Sequence, residues 1–538
     1  MTKAARRVTL GLACLGAVLV TGSFAPTRGD DRSSGVSRSD RDQTDPAQKK
    51  ASKRRRRIIV NDDGQPQFET TSPSEYLAAR FNAVVGTQVD TYMIYVGDGW
   101  HPHRDRKPAK GLGDVHQLIT AESHKAGIEI IASLRMNDIH CSLDGTASPL
   151  KRQKPHLLIG EEFAFKEFSG RLEGEGAGPG GYPRGSLMAA FWAGYDYAEP
   201  EVRAHRLKRI GEIASHDYDG LELDFFRHPL FFKPGEEKAN LETMTGFVRQ
   251  VRQSLDRIGR DRGRAYLLAA RVPDSLAFAL RTGLDVAAWL DQGLLDMLII
   301  GGGYMPHSAR VKEFIDLAHR YDVPAYPSVD ADTFPPSGSV FDAYLDPLTM
   351  RSVASNFWAL GGDGVYVFNW YGTTYYGGKR IPKDSEKHQL MRQLGDPATL
   401  RGLNKRYLPD AGCSIDYCGY SNAPNALPVR LVDGTLIELV VGDDVATARR
   451  EGTIEEMRLH TQVNRIGRNE GIVIQINGTP VPADSIKRLD TGSFSAGLTA
   501  PPLRQGINEI VILPGSGSIG RLASQVTALE VSVRYKQR

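Results

Sequence analysis

Several things are scarce in this chain, and each scarcity excludes something. Four cysteines in 538 residues are too few for a disulfide scaffold, and no Cys/His set has zinc spacing. Only Cys413 and Cys418, which bracket Ser-Ile-Asp-Tyr, suit a small-loop disulfide in an exported protein. No P-loop or dinucleotide fingerprint occurs, so no cofactor is expected, and no metal. No segment beyond the N-terminus is apolar for long enough to span a bilayer. Positive charge is scarce where a nucleic acid would need it. The formal net charge is +3, but residues 1–57 hold fourteen Lys and Arg against five Asp, which leaves the rest of the chain at −6. A mildly acidic folded part has no basic footprint for nucleic acid.

The N-terminus has what an export signal needs. Lys3, Arg6 and Arg7 precede an apolar run from Val8 to Val20, and Thr21-Gly22-Ser23-Phe24-Ala25 offers small residues for cleavage. Residues 1–25 are therefore expected to be a signal peptide, with the mature protein periplasmic or extracellular and not inserted in a membrane. Residues 26–57 are polar, aperiodic and end in a run of Lys and Arg. They read as a disordered basic linker.

From Arg57 onward, apolar runs alternate with amphipathic ones. Strands are expected at 57–62, 89–96, 128–136, 221–227, 266–272, 295–300, 325–329 and 364–369, with helical patterns between them. Eight alternations of strand and helix predict a (β/α)8 TIM barrel over residues 58–400. The connection between the third and fourth strands is long, with a Gly-rich stretch from Gly170 to Gly185. It lies on the side of a barrel where active sites are built. Residues 401–423 read as a linker. From 424 to 538 only strands recur, separated by Asp433-Gly434 and Asn477-Gly478 turns, which predicts an all-β antiparallel sandwich. That domain has no Trp, so a role in support is expected rather than ring stacking on sugar.

The fourth strand, Gly220-Leu221-Glu222-Leu223-Asp224, carries charge in an apolar pattern. Alternation turns Glu222 and Asp224 the same way, and in a barrel that direction is the interior near the C-terminal mouth. Other strand ends are polar too: Asn61-Asp62-Asp63, Trp100, Asn137-Asp138, Arg227, Arg271 with Asp274, Tyr304, Asp330 and Asn369-Trp370. Carboxylates, arginines, amides and rings gathered at one face suit a carbohydrate. Glycosidic cleavage needs two carboxyl groups flanking the bond. Asp224 is the expected catalytic carboxylate, with Glu222 tuning its pKa. Asp330 is the expected partner acid, with Asp138 and Asp274 as alternatives. Asp62, Trp100, Asn137, Asp138, Arg227, Arg271, Tyr304, Asn369 and Trp370 are expected to bind substrate.

Two stretches carry a resemblance. Asp196-Tyr197-Ala198-Glu199-Pro200-Glu201-Val202-Arg203 and Tyr218-Asp219-Gly220-Leu221-Glu222-Leu223-Asp224-Phe225-Phe226-Arg227 resemble the glycoside-hydrolase-like family 10 group of barrel proteins. That resemblance implies a TIM barrel acting on glycans, with the last acid of the strand-four motif at Asp224. The same strand is similar to the D-G-x-D-x-D-x-E strand of chitinase-like barrels, except that Phe226 stands where their catalytic Glu would be. The C-terminal stretches Ile476-Asn477-Gly478-Thr479-Pro480-Val481 and Leu503-Arg504-Gln505-Gly506-Ile507-Asn508 are similar to galactose-binding-like sandwiches. The leading expectation is an exported glycoside hydrolase with a carbohydrate substrate. The alternatives are a glycan-binding barrel without catalysis, and a metal-dependent hydrolase using Asp62, Asp63, His101, His103 and His140.

Overall fold

The computed structural model describes residues 46–62, 70–97, 111–139, 149–160, 193–301, 311–330, 347–370, 386–409, 426–431, 434–498, 503–515 and 524–536. The expected signal peptide, the Gly-rich stretch and all four cysteines lie outside these residues. Among them no helix is long and apolar enough to cross a membrane.

Eight parallel strands close into a barrel in sequence order: β1 (Ile58–Asp62), β2 (Val89–Tyr95), β3 (Glu129–Arg135), β4 (Gly220–Asp224), β5 (Leu267–Val272), β6 (Met297–Ile300), β7 (Ala325–Asp330) and β8 (Val365–Phe368). These are the eight strands expected from the sequence, with ends that differ by one to three residues. Alternation sorts the side chains into two separate buried clusters. Ile58, Val60, Leu221, Leu223, Val365 and Val367 belong to the large cluster between strands and helices. Ile59, Met93, Ile131, Ala269, Ile299, Tyr366 and Phe368 fill the barrel itself.

The covering helices form for local reasons. α2 (Pro73–Arg80) starts with Pro at its first position and Ser72 accepting from the Glu75 N–H. α3 (Val115–Lys125) is capped by Asp114, which accepts from His116 and Gln117. α4 (Pro200–Ala214) also begins with Pro and buries Val202, Ile210 and Ile213. α5 (Leu241–Asp261) buries Met244, Phe247, Val248, Val251 and Leu255 at helical spacing. α6 (Val311–Arg320) and α7 (Pro347–Ala359) complete the flank of β7.

The disordered linker expected over residues 26–57 is corrected for its last twelve residues. α1 (Pro46–Ser52) and the arginines after it close the N-terminal end of the barrel. Arg56 is fully buried and pairs through two nitrogens with Glu129, at 2.7 and 2.8 Å. Its remaining N–H groups reach the carbonyls of Ala51, Ser52 and Arg54. Gln48 bonds Asp296, Arg54 bonds the Gly127 carbonyl and Arg57 bonds Asp90. Gly364, entering β8, lies so close to this segment that a Cβ there would sit 2.1 Å from the Arg56 carbonyl oxygen. The charge run is a plug because each buried guanidinium has a partner that lies far away in sequence.

The C-terminal domain is two antiparallel sheets. β9 (Lys405–Tyr407), β10 (Val429–Arg430), β12 (Ile454–Asn464), β15 (Ile486–Asp490), β16 (Ser493–Gly497) and β18 (Gln525–Tyr535) form one. β11 (Thr435–Val441), β13 (Ile472–Ile476), β14 (Thr479–Pro480) and β17 (Gly506–Pro514) form the other. The expected linker over 401–423 is corrected at its start, because β9 pairs with β18 and so belongs to the sandwich. The sandwich rests on α7. Gly442 faces Ser355 so closely that a Cβ would lie 2.2 Å from the Ser355 carbonyl carbon. Beside it Asp443 accepts from Ser355 Oγ at 3.0 Å and Tyr535 Oη at 2.6 Å, and pairs with the buried Lys405 at 3.0 Å.

Two outcomes follow from these closures. Arg56→Ala leaves Glu129 buried without its cation, and a loss of about 3–5 kcal/mol is expected in chemical denaturation. Lys53→Ala, whose cation is exposed, should change the same measurement by less than about 0.5 kcal/mol. Gly442→Ala should cost about 1–3 kcal/mol, because the methyl has no room against α7; an unchanged midpoint would show that the contact yields without strain.

Candidate active site

β4 delivers its two carboxyls inward, as the alternation requires, and the barrel surrounds them with partners from four other strands. Asp224, at the last position of β4, is 2% exposed. Its Oδ1 accepts from Arg271 Nε at 2.9 Å and from the backbone N–H groups of Phe226 and Arg227 at 3.0 Å each. Its Oδ2 accepts from Arg271 Nη2 at 2.9 Å. This is a bidentate, charge-assisted pair. Register explains it, since Asp224 on β4 lies opposite Arg271 on β5. Arg271 is fully buried, its third nitrogen points at the Gly301 carbonyl at 3.4 Å, and its guanidinium lies 4.0 Å from the centre of the Phe368 ring. Burial opposes the arginine's charge, but Asp224, together with Tyr366 and Glu222, outweighs it and raises the arginine's pKa.

Glu222 lies one pleat deeper and is fully buried. Tyr366 of β8 donates to its Oε1 at 2.8 Å, Ser133 of β3 donates to Oε2, and Asn61 Nδ2 of β1 is 3.3 Å from Oε2. Burial first, and then the Asp224 charge, push the Glu222 carboxyl up from its ordinary value of 4.5 to about 7; Arg271 and the two hydroxyls pull the other way. The tuning expected between the two acids is therefore borne by Glu222.

Around this pair the mouth divides. On one side Arg135, at the end of β3, pairs with Asp138 at 2.8 Å and lies 4.3 Å from the Tyr95 ring centre; Tyr95 Oη also donates to Asp138 at 3.0 Å. On the other side stand Arg227, Asp274 and Phe226, all buried, with Arg227 5.9 Å from the Phe368 ring centre. At the end of β8, Asn369 takes a left-handed conformation with φ of 55°. The next residue closes the barrel seam, where the Trp370 N–H donates to the Asn61 carbonyl at 2.9 Å.

Three expected substrate-binding residues are corrected. Asp62 shares a face with Ile58 and Val60, so it points out of the barrel into the helix layer, where it bonds Tyr92 and lies 3.5 Å from Arg80 of α2. Its neighbour Asn61 is the inward residue. Asn137 has its amide occupied by backbone, donating to the Tyr195 carbonyl at 3.0 Å and to the Leu230 carbonyl, and accepting from the Tyr195 N–H at 2.7 Å. It fastens two loops and offers nothing to a ligand. Trp370 is fully buried, edge-on to His388 at 5.7 Å, and presents no face to a sugar. Asp138, Arg227, Arg271 and Asn369 do gather at the mouth with Asp224. Asp330 ends β7 opposite Phe368; its side chain lies outside the described residues, as do Trp100 and Tyr304. Asp63, His101, His103 and His140 lie outside them too, and among the described residues no group of three or more His, Cys, Asp or Glu could hold a metal ion.

The sequence reading missed Ser133 and Tyr366, and it placed Asn61 at a polar strand end without naming it as a site residue. Their signal was available in the alternation, since Ser133 lies two before Arg135 and Tyr366 two before Phe368.

No protein-family profile matches the chain, and no curated protein matches it. Distant likenesses occur among solved structures. It is similar to the endo-β-1,4-mannanase of Thermotoga petrophila at 11% identity, over 89% of this chain and 98% of that one, with a TM-score of 0.42. A glycoside hydrolase family 18 N-acetylglucosaminidase of Paenibacillus barengoltzii matches at 12% identity, over 62% and 99%, with a TM-score of 0.36. A family 18 chitinase of Chromobacterium violaceum matches at 11% identity, over 90% and 89%, with a TM-score of 0.36.

The Asp224–Arg271 pair gives the site its first prediction. Arg271→Ala strands a buried carboxylate and should cost about 3–5 kcal/mol in urea denaturation. Asp224→Asn together with Arg271→Met, which removes both charges, should recover most of that loss; a double variant no more stable than Arg271→Ala would show that the cost does not come from the unpaired charge.

Proposed function

We propose that the protein is an exported glycoside hydrolase that cuts a poly- or oligosaccharide at the C-terminal mouth of the barrel. The observation that carries this reading is a buried carboxyl, Asp224, bound by Arg271 and two backbone N–H groups at the end of a barrel strand. Barrel chemistry is done at strand ends of this kind. A carboxylate that only accepts hydrogen bonds suits the anionic role in glycosidic cleavage, facing the positive charge that develops on the sugar ring. It does not suit the acid, which must bring a proton. That proton would come from a carboxyl on another strand end, Asp330 first, with Asp138 and Asp274 as alternatives. Arg227 and Asn369 would orient the sugar, the buried Arg271 would hold Asp224 rather than touch the sugar, and the sandwich would brace the barrel without taking part in the chemistry. Export rests on the pattern of residues 1–25.

A second reading, a glycan-binding barrel without catalysis, is favoured by two features. Both oxygens of Asp224 are already engaged, and Phe226 stands two residues on, where chitinase-like barrels carry their acid.

The test is a panel of glycans assayed for new reducing ends. The wild type should release them from at least one substrate, and Asp224→Asn should lower that rate about 10²-fold or more while keeping a cooperative unfolding transition. Full activity in Asp224→Asn would remove the reading. A glycan that binds tightly and leaves uncut would favour the second one.

A further inference from the structure

The barrel interior holds one acid that the proposed hydrolysis does not use. Glu222 is fully buried beneath Asp224, so it cannot reach a sugar at the mouth. Three strands nevertheless send polar side chains to it: Tyr366 from β8, Ser133 from β3 and Asn61 from β1. Among the described side chains, the titratable or charged groups facing it are Asp224 on its own strand, Arg271 on β5, Tyr366 on β8 and, one level higher on β3, Arg135. β2 and β6 contribute Met93, Met297 and Ile299, and β7 contributes Ser328 with Tyr326 a pleat below.

One guanidinium therefore serves two carboxyls in a space closed to solvent. Arg271 gives Nε and Nη2 to Asp224. An ionised Glu222 would leave an uncompensated negative charge in a low-dielectric interior, whereas a proton on Glu222 makes the group neutral. The interior also has an acceptor for that proton. Asn61 Oδ1 is buried without a partner, while its Nδ2 lies toward Ser133 at 3.1 Å and toward Glu222. Turning the amide over brings the oxygen to where a protonated Oε2 donates to it, and the hydroxyls of Ser133 and Tyr366 can donate or accept.

We propose that Glu222 is a positioning residue that carries a proton: with Asn61, Ser133 and Tyr366 it keeps Arg271 committed to Asp224, and loss of that proton switches the site off. The switching rests on the hydrolase reading; the proton does not. The raised Glu222 value agrees in direction, with burial as the main cause. Because the folded value lies above the unfolded one, the stability it contributes is full below about 4.5 and is lost as pH rises through about 7.

Infrared titration of the full-length chain tests this. The wild type should show a protonated carboxyl band that disappears as pH rises through about 7, and Glu222→Gln should lack it. Tyr366→Phe removes a hydrogen bond that favours the anion, so the disappearance should move to higher pH. Ser133→Ala should move it the same way and replaces Glu222→Gln in the comparison if that variant does not fold. Wild-type and Glu222→Gln spectra that coincide from about pH 5 to about pH 8 would overturn the proposal, as would a titration that neither hydroxyl variant moves. On a glycan the wild type cuts, the rate should fall through the same midpoint and shift with it in Tyr366→Phe. A titrating band with no glycan cut removes the hydrolase reading alone. A cut glycan with no titrating band removes this inference alone.

Discussion

The bidentate ion pair between Asp224 and Arg271 is the interaction on which the rest of the site depends. Both partners are buried at 2.9 Å, where attraction is strong but desolvation is costly. Such a pair persists only where the remaining donors and acceptors are also satisfied. Here the Phe226 and Arg227 N–H groups complete the carboxylate, and the Phe368 ring covers the guanidinium. The pair fixes the end of β4 against β5 and leaves Glu222 below it as a second acid with no cation of its own. Alternation along β4 sets the depth of Glu222, and burial first, then the Asp224 charge, raises its pKa.

The two ends of the barrel are built for different purposes. At the N-terminal end Arg56 and Glu129 form a fully satisfied pair, covered by a helix and open to nothing. At the C-terminal end the charged side chains converge from the ends of β3, β4 and β5 and from the loops that follow them. The sandwich touches the barrel through α7, the helix that joins β7 to β8.

Much of this architecture was legible in the sequence. The eight strands and the inward direction of Glu222 and Asp224 follow from alternation alone, because a closed parallel barrel obeys the period of two strictly. What was not legible depended on partners distant in sequence. Arg56 sits in a run that reads as solvated charge, and only Glu129, seventy-three residues on, makes it a plug. Asp62 ends a strand as a site residue would, yet lies one position out of phase with the interior, so its charge serves Arg80. Asn137 looks like a ligand-binding amide, but two loops that come later in the chain occupy it. β9 hid in an expected linker because three residues leave too little pattern to detect.

The most direct measurement is a crystal structure with an oligosaccharide bound. The account predicts sugar at the C-terminal mouth, with a glycosidic bond next to Asp224 and a carboxyl from another strand end on its far side. Sugar bound only on the sandwich, or at the mouth with no second carboxyl near the bond, would contradict it.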